Sequence, residues 1–445
     1  MAISSESAAA IDARIALAEA PVAIYRPEPG DYLGIKGSGI TENGRTFFVL
    51  DGDQPPSDRD LRHARIVQND KPVNGALSAP HKVYLDPTFV CPCTCEAMCS
   101  ANVPAIRRAA KAGGPKIPQL NEEDALLLAD DMVRSGVIQS KIAGGDPFAW
   151  KPLPTVVERL GQGGIGLSLS TSGYNLAGLK PEIIDLLKRY GMKISVSLDG
   201  PPKFHDAQRQ FPGLYGKALR GVQHLLEHGY PKKKLEIRAT IADTDQSVQH
   251  ALHIDELAKS TGLRTRIRMS RPVGGALANG NGHLKSDERY WALFKILRKL
   301  RRGNALLNFD DPVMFDDDNH GMVFQTGLDC GAGTRSMGIG ARGDMSPCSY
   351  IDNYFPPVNV IQRVRQGGSL LDIWRGEADG AEAFSGVRRF HTRRARMLPC
   401  VSCGFKHGCQ GGCPAYGLAV SKDAMKPVRD PRCPSAFIAR GGKIE

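Results

Sequence analysis

The chemistry available to this chain rests on eleven cysteines, which fall into two groups. Cys91, Cys93, Cys95 and Cys99 stand together in DPTFVCPCTCEAMCSAN. Cys330, Cys348, Cys400, Cys403, Cys409, Cys413 and Cys433 follow, after about 230 residues that contain none. Disulfide frameworks suit small secreted domains, whereas clustered thiols in a large chain read as ligands to a metal or a cluster. Thiolates are the usual ligands of iron–sulfur centres, and structural zinc takes them too. For the first group alone, iron–sulfur and zinc stand about level. The second group runs Cys400-x2-Cys403-x5-Cys409-x3-Cys413, with Cys330, Cys348 and Cys433 around it. A zinc ribbon uses four ligands and would leave three of these thiols over.

Such ligands need a rigid frame, and the sequence from 83 to 302 supplies the pattern for one. VYLDPTFV reads as a strand that runs into the first cysteines, followed by LNEEDALLLADDMVRSG as a helix. KIAGGDP, GLSLSTSG, KISVSLDG, LEIRATIAD and TRIRMSRPV read as further strands. VVERLGQ, PEIIDLLKRYG, GKALRGVQHLLEHG, VQHALHIDELAKSTG and ERYWALFKILRKLRR read as the helices between and after them. Short apolar strands alternating with helices of 3.6-residue periodicity specify a buried parallel sheet. The predicted class is α/β: a partial six-unit TIM-like barrel, with chemistry at the C-terminal strand ends. Three regions follow: a β-rich segment over 1–80, the barrel over 81–304, and a cysteine-rich domain over 305–445. In the first region VAIYRP, YLGIKGSGI, RTFFVLDG and ARIVQN read as strands.

Composition fits a folded globular chain: 41% of the 445 residues are hydrophobic and 24% are charged. No run approaches the ~20 apolar residues that a membrane-spanning helix needs, so no membrane partner is expected. The N-terminus carries Glu6, Asp12, Arg14 and Glu19 and lacks a signal-peptide pattern, which implies a cytoplasmic protein. The net charge of +11 gathers at Lys232–Lys234, Lys295–Arg302 and Arg388–Arg396. These runs read as solvated faces or as a surface for an acidic partner. No basic–aromatic interleaving points to nucleic acid.

A cysteine cluster in the loop after the first strand of such a barrel resembles the radical S-adenosylmethionine (SAM) superfamily. The family spacing is C-x3-C-x2-C; here Cys91-x3-Cys95-x3-Cys99 stands with Cys93 in addition, and Cys93 is an alternative to Cys91. The resemblance implies a [4Fe-4S] cluster with one iron left open to SAM, which is cleaved reductively to a 5′-deoxyadenosyl radical. Gly144, Gly145, Asp146 and Pro147 resemble the family's GGEP-like motif, whose backbone receives the cofactor's amino group. Ser170, Thr171, Ser172 and Gly173 resemble its ribose- and carboxylate-contacting segment. SVSLDGPPKFHDAQRQFPG is similar to a stretch of peptide-modifying members and carries Ser197, Asp199, His205, Asp206 and Arg209. Arg238 is the residue expected to hold the cofactor carboxylate. Asp199, Asp206, Arg209 and Tyr84 are the candidates for substrate contact or proton handling.

The second cysteine group resembles the SPASM pattern at all seven positions. That implies two auxiliary [4Fe-4S] clusters: an outer one on Cys400, Cys403, Cys409 and Cys433, and an inner one on Cys330, Cys348 and Cys413. Some relatives add a fourth inner cysteine where Phe324 stands here. The inner cluster is therefore left with an open iron, with Asp329, or with a substrate thiol. The implied activity is modification of a ribosomally made peptide, by crosslinking or oxidation. The alternatives are radical chemistry on a sugar or amino acid, or formylglycine formation in a sulfatase. The implied partners are a peptide or protein substrate and an electron donor such as flavodoxin or ferredoxin. Residues 1–80 would serve as a leader-binding winged-helix module or as a β-rich docking element.

Overall fold

The computed structural model describes residues 70, 76–96, 98–279, 286–309, 330–351, 358–377, 382–395, 400–403, 412–421 and 430–442, together with Ile66 and three short strands before it. Those strands are β1 (Ile24–Tyr25), β2 (Gly39–Glu42) and β3 (Arg45–Val49), and they form a sheet of their own in the order β1-β3-β2. The expected strand ARIVQN is corrected at its one described residue. Ile66 is helical, and its carbonyl accepts the Asp70 N–H at 2.9 Å, so a local i−4 bond prevails over β-branched propensity.

The main sheet holds ten strands, and β4 (Lys82–Leu85), β5 (Gln139–Ile142), β6 (Gly166–Thr171), β7 (Lys193–Ser197), β8 (Leu235–Ile241) and β9 (Arg264–Met269) lie side by side in that order. Every pairing among these six is parallel. The expected partial barrel core is therefore present. Two strands extend it: β10 (Leu307–Phe309) pairs parallel with β9, and β11 (Ser336–Ile339) pairs parallel with β4. Beyond β11, β12 (Asp344–Ser346) and β13 (Val358–Asn359) add antiparallel. The sheet thus continues past residue 304 at both edges.

Alternation along the strands divides the sheet into two faces. Val83, Leu85, Ile142, Leu167, Leu169, Ile194, Val196, Ile237 and Ile267 belong to one buried apolar core. That core includes Leu128 and Met132 of α2 (Glu122–Arg134), Val156 and Leu160 of α3 (Leu153–Gln162), Ile184 and Leu187 of α4 (Pro181–Arg189), Val222 and Leu225 of α6 (Leu214–Glu227), and Ile254 and Ala258 of α7 (Ser247–Thr261). The residues between them on the strands, among them Lys82, Tyr84, Lys141, Ser168, Ser170, Lys193, Ser197, Arg238 and Arg266, are half-buried on the opposite, polar face.

A helix absent from the sequence reading, α1 (Val103–Lys111), follows the cysteine loop directly. The short helix α5 (Pro202–Arg209) precedes α6, and α8 (Gly274–Ala278) follows β9, ahead of the long α9 (Asp287–Gly303). The C-terminal part adds α10 (Val360–Arg365), α11 (Leu370–Arg375), α12 (Glu382–Ala395), α13 (Pro414–Ser421) and α14 (Pro434–Ala439). Among the described residues no helix is long and apolar enough to cross a membrane.

Candidate functional site

The four N-terminal cysteines lie in the loop between β4 and α1, and their thiols form a chain. Cys93 Sγ is in hydrogen-bond contact with both Cys91 and Cys95, and Cys99 feels the charge of Cys95. Cys93 is 2% exposed, whereas Cys91, Cys95 and Cys99 are half-buried. The contact with Cys91, followed by burial, pushes the Cys93 thiol up to about 12, and burial pushes Cys99 up to about 11. Both are values for free thiols, which ligation would replace by thiolates. The Val103 N–H at the start of α1 donates to Cys99 Sγ at 3.4 Å.

Three strand-end loops and one helix grip this loop. From β5, the Gly145 N–H donates to the Thr88 carbonyl at 2.7 Å and the Asp146 N–H to the Val90 carbonyl at 2.9 Å. A Cβ on Gly144 would lie 2.5 Å from Thr88 O, and one on Gly145 2.3 Å from Val90 O, so only glycine permits this approach. From β9, the Gly275 N–H donates to the Cys99 carbonyl at 2.7 Å, and Cβ atoms on Gly274 and Gly275 would strike Ser100 O and Glu96 O. From β7, the Arg209 carbonyl accepts the Thr94 N–H at 3.3 Å. From α1, Arg107 Nη1 donates to the carbonyls of Cys91 and Cys93.

The structure gives several of the expected site residues work inside the protein. Asp146 is 0% exposed, and its carboxylate accepts from Thr171 Oγ1, Ser172 N, Ser172 Oγ and Phe148 N, which locks the β5 loop to the end of β6. Ser172 is thereby engaged with Asp146. Ser170 Oγ, nearby on β6, is buried with no hydrogen-bond partner among the described residues, as a hydroxyl awaiting a polar ligand would be. Asp199, also 0% exposed, receives Arg209 Nε at 2.7 Å, Arg209 Nη2 at 3.2 Å and the Thr240 N–H at 3.0 Å. Burial alone would raise this carboxyl, but the guanidinium holds it well below the usual range. Asp206 caps the start of α6, accepting the N–H groups of Gly213 at 2.6 Å and Tyr215 at 2.8 Å. His205 Nδ1 accepts the Asp199 N–H at 3.2 Å. On the polar face, Ser197 stands opposite Arg238, and Tyr84 opposite Lys141, with Lys82 Nζ 4.9 Å from the Tyr84 ring.

Sequence reasoning missed Glu236 and Lys193, a buried carboxylate and a half-buried ammonium that pair at 2.6 Å beside Arg238. It also missed the Gly274–Gly275 pair. No motif marks either: the ion pair shows in the sequence only as alternating polar residues on adjacent strands.

Part of the second cysteine group is gathered in space. Cys348 lies under the charge of both Cys330 and Cys413, and the three pack against one apolar cluster with Val273, Ile351 and Leu418. Burial pushes the Cys348 thiol up, and the Tyr350 N–H donates to its Sγ at 3.4 Å. Arg268 on β9 donates to Tyr350 Oη at 2.6 Å, tying this cluster to a barrel strand. Cys403 Sγ lies 2.9 Å from Ser435 Oγ, two residues from Cys433 at the head of α14. Asp430, unmarked in the sequence reading, joins the subgroups: its carboxylate accepts the Cys413 N–H at 2.8 Å and its carbonyl the Cys433 N–H at 3.1 Å. Cys409, Phe324 and Asp329 lie outside the described residues. Among the described residues no three His, Cys, Asp or Glu side chains converge as ligands of a single metal ion.

Residues 88–253 match the Radical SAM superfamily. The chain is 25% identical to mycofactocin maturase MftC of Mycolicibacterium smegmatis, over 80% of this chain and 83% of the relative. It is 26% identical to PqqA peptide cyclase of Rhodopseudomonas palustris, over 80% and 86%. Among solved structures, Streptococcus suis SuiB bound to precursor peptide SuiA shares the fold with a TM-score of 0.60, at 18% identity over 81% of this chain and 77% of that one.

Proposed function

We propose that this chain, a radical SAM enzyme, abstracts hydrogen from a ribosomally made peptide and leaves a crosslink or an oxidised side chain. The observation that carries this reading is the four-thiol loop at the end of the first barrel strand, clamped by the loops of β5, β7 and β9. Its relatives MftC and PqqA peptide cyclase are named as a maturase and a peptide cyclase, and SuiB binds a precursor peptide, which supports a peptide substrate. SAM and one [4Fe-4S] cluster are the cofactors of the superfamily, and together they supply the 5′-deoxyadenosyl radical.

Cys91, Cys95 and Cys99, the three half-buried thiols, would hold that cluster, with Cys93 buried behind them. The backbone of Gly144–Pro147, the unpartnered Ser170 hydroxyl, Ser197 and Arg238 would receive the cofactor. Asp146 and Ser172 would position that loop, and Asp206 its neighbour α6. Tyr84, half-buried on the polar face, is the residue that faces substrate. Cys330, Cys348 and Cys413 would hold an inner auxiliary cluster. Cys400, Cys403 and Cys433, with Cys409, would hold an outer one, so the division at 81–304 and 305–445 is one of chemistry on a shared sheet. The sheet of β1–β3 offers strand edges for a leader peptide. The +11 charge suits an acidic electron donor such as flavodoxin or ferredoxin, in the reducing cytoplasm.

The test is anaerobic reconstitution with counting of iron, sulfide and 5′-deoxyadenosine. About twelve irons per chain are expected, three clusters of the cubane type. Cleavage should disappear in Cys95→Ala, and mass spectrometry of candidate peptides encoded near this gene should find one that loses mass. Four irons would remove the auxiliary clusters; cleavage without any peptide product would remove the peptide reading.

A further inference from the structure

We propose that Arg209 sets the reduction potential of the first iron–sulfur cluster, its guanidinium held beside the cysteines by the buried carboxylate of Asp199. The inference rests on the radical SAM reading of the loop from Cys91 to Cys99. Arg209 ends α5, and its backbone already touches the loop: its carbonyl takes the Thr94 N–H and lies 4.0 Å from Cys95 Sγ. The guanidinium cannot swing away, because Nε and Nη2 both bind Asp199. Asp199 is itself fixed, by the Thr240 N–H from β8 and by its own amide on His205. The side chain of Arg209 is 13% exposed and that of Asp199 0%, so water screens neither charge well.

The positive charge of Arg209 acts in the same direction on Cys93, Cys95 and Cys99, and it is the smallest influence on Cys93 and Cys99, whereas Asp199 acts on Cys95 with the opposite sign. One electron from a low-potential donor takes a [4Fe-4S]2+ cluster to [4Fe-4S]+ and places one more negative charge among its sulfurs. A fixed cation there favours the reduced state, and the carboxylate behind it disfavours that state. Two variants that break the same ion pair must therefore move the potential in opposite directions, which loss of structure would not do.

The experiment is a redox titration of the anaerobically loaded full chain, followed by the EPR signal that changes on addition of SAM. Arg209→Gln should leave the cluster about tenfold harder to reduce, a fall of about 59 mV for one electron, and Asp199→Asn should raise the potential by a similar step. Arg209→Lys, which keeps the charge, should fall between wild type and Arg209→Gln. Shifts of the same sign in Arg209→Gln and Asp199→Asn, or no shift in either, would overturn the proposal. Where Arg209→Gln fails to hold iron, Asp199→Asn decides, and a potential at or below wild type rejects it. A wild-type chain with no SAM-sensitive signal would remove the radical SAM reading and this inference with it.

Discussion

Glu236 is 4% exposed and stands among Lys193, Arg238 and Arg266, on the polar face of the sheet where the cofactor is expected. Ser195 Oγ donates to it at 2.5 Å, Lys193 Nζ reaches it at 2.6 Å and Arg238 Nε at 3.3 Å. Burial would raise such a carboxyl, yet the charges of Arg238, Lys193 and Arg266 hold it well below the ordinary range. Burial lowers Lys193 in turn, and Glu236 partly restores it. Glu236 thus keeps cations together that would otherwise repel one another, and it aims Arg238. Replacing it by glutamine leaves three half-buried cations without their shared anion, and Glu236→Gln should cost about 1–3 kcal/mol in urea unfolding at neutral pH. A depressed carboxyl stabilises fully above its unfolded value and loses that contribution as pH falls through the folded one. The gap between wild type and variant should therefore hold down to about pH 4.3 and narrow below it. A gap that is already closed at neutral pH would show that the cations find another partner.

At the scale of elements, the cysteine loop is held by backbone fitted against backbone. Gly145→Ala would place a Cβ 2.3 Å from the Val90 carbonyl, and neither rigid segment can yield. The expected result is a loss of about 1–3 kcal/mol and reduced iron loading. Gly178→Ala, where a Cβ meets nothing within 4 Å, should change stability by at most about 0.5 kcal/mol and keep full iron. Iron content and thermal midpoint of the two variants, measured side by side, decide it. The two gripping pairs also differ in what could be read in advance. Gly144 and Gly145 were legible through their motif, whereas Gly274 and Gly275 make the same close approach with no pattern around them, because the contact exists only once β9 lies four strands from β5. The parallel strands from β4 to β9 were legible in the periodicity, and their sequential order only through the partial-barrel reading, since parallel strands joined by helices leave few arrangements. The roles of Asp146, Asp199 and Asp206 did not follow: a carboxylate that caps a helix and one that meets substrate look the same in sequence. The short α1 was missed although Val103, Ile106 and Ala110 recur at helical spacing, because it spans only nine residues and starts directly from the cysteine loop.

For the whole molecule, the C-terminal cysteines ride on the barrel because the two parts share a sheet and a buried junction. β11 pairs along β4, the strand that leads into Cys91. Asp131 on α2 accepts the Leu370 N–H at 2.7 Å and Ser369 Oγ at 3.3 Å, which anchors the start of α11. Ser135 Oγ lies 3.1 Å from Ser369 Oγ, and Trp374 Nε1 donates to the Leu77 carbonyl at 2.8 Å. Trp374 is itself fully buried, with Arg388 5.1 Å from its ring. A part joined through shared strands and satisfied buried polar groups cannot open without exposing the apolar side of the whole. Asp131→Ala strands buried donors at the head of α11, so it should lower stability by about 1–3 kcal/mol. The loss should appear in one transition, at the same denaturant concentration by far-ultraviolet circular dichroism and by tryptophan fluorescence. Trp150 reports on the barrel, Trp374 on the C-terminal part and Trp291 on the junction, where its ring stacks on Phe437 of α14 at 5.6 Å, so an early, separate fluorescence change would mean that the cysteine-rich part unfolds alone. Coincident curves would mean that the first cysteine loop and the second group unfold as one unit, the fixed frame that the proposed transfer of electrons between their clusters would need.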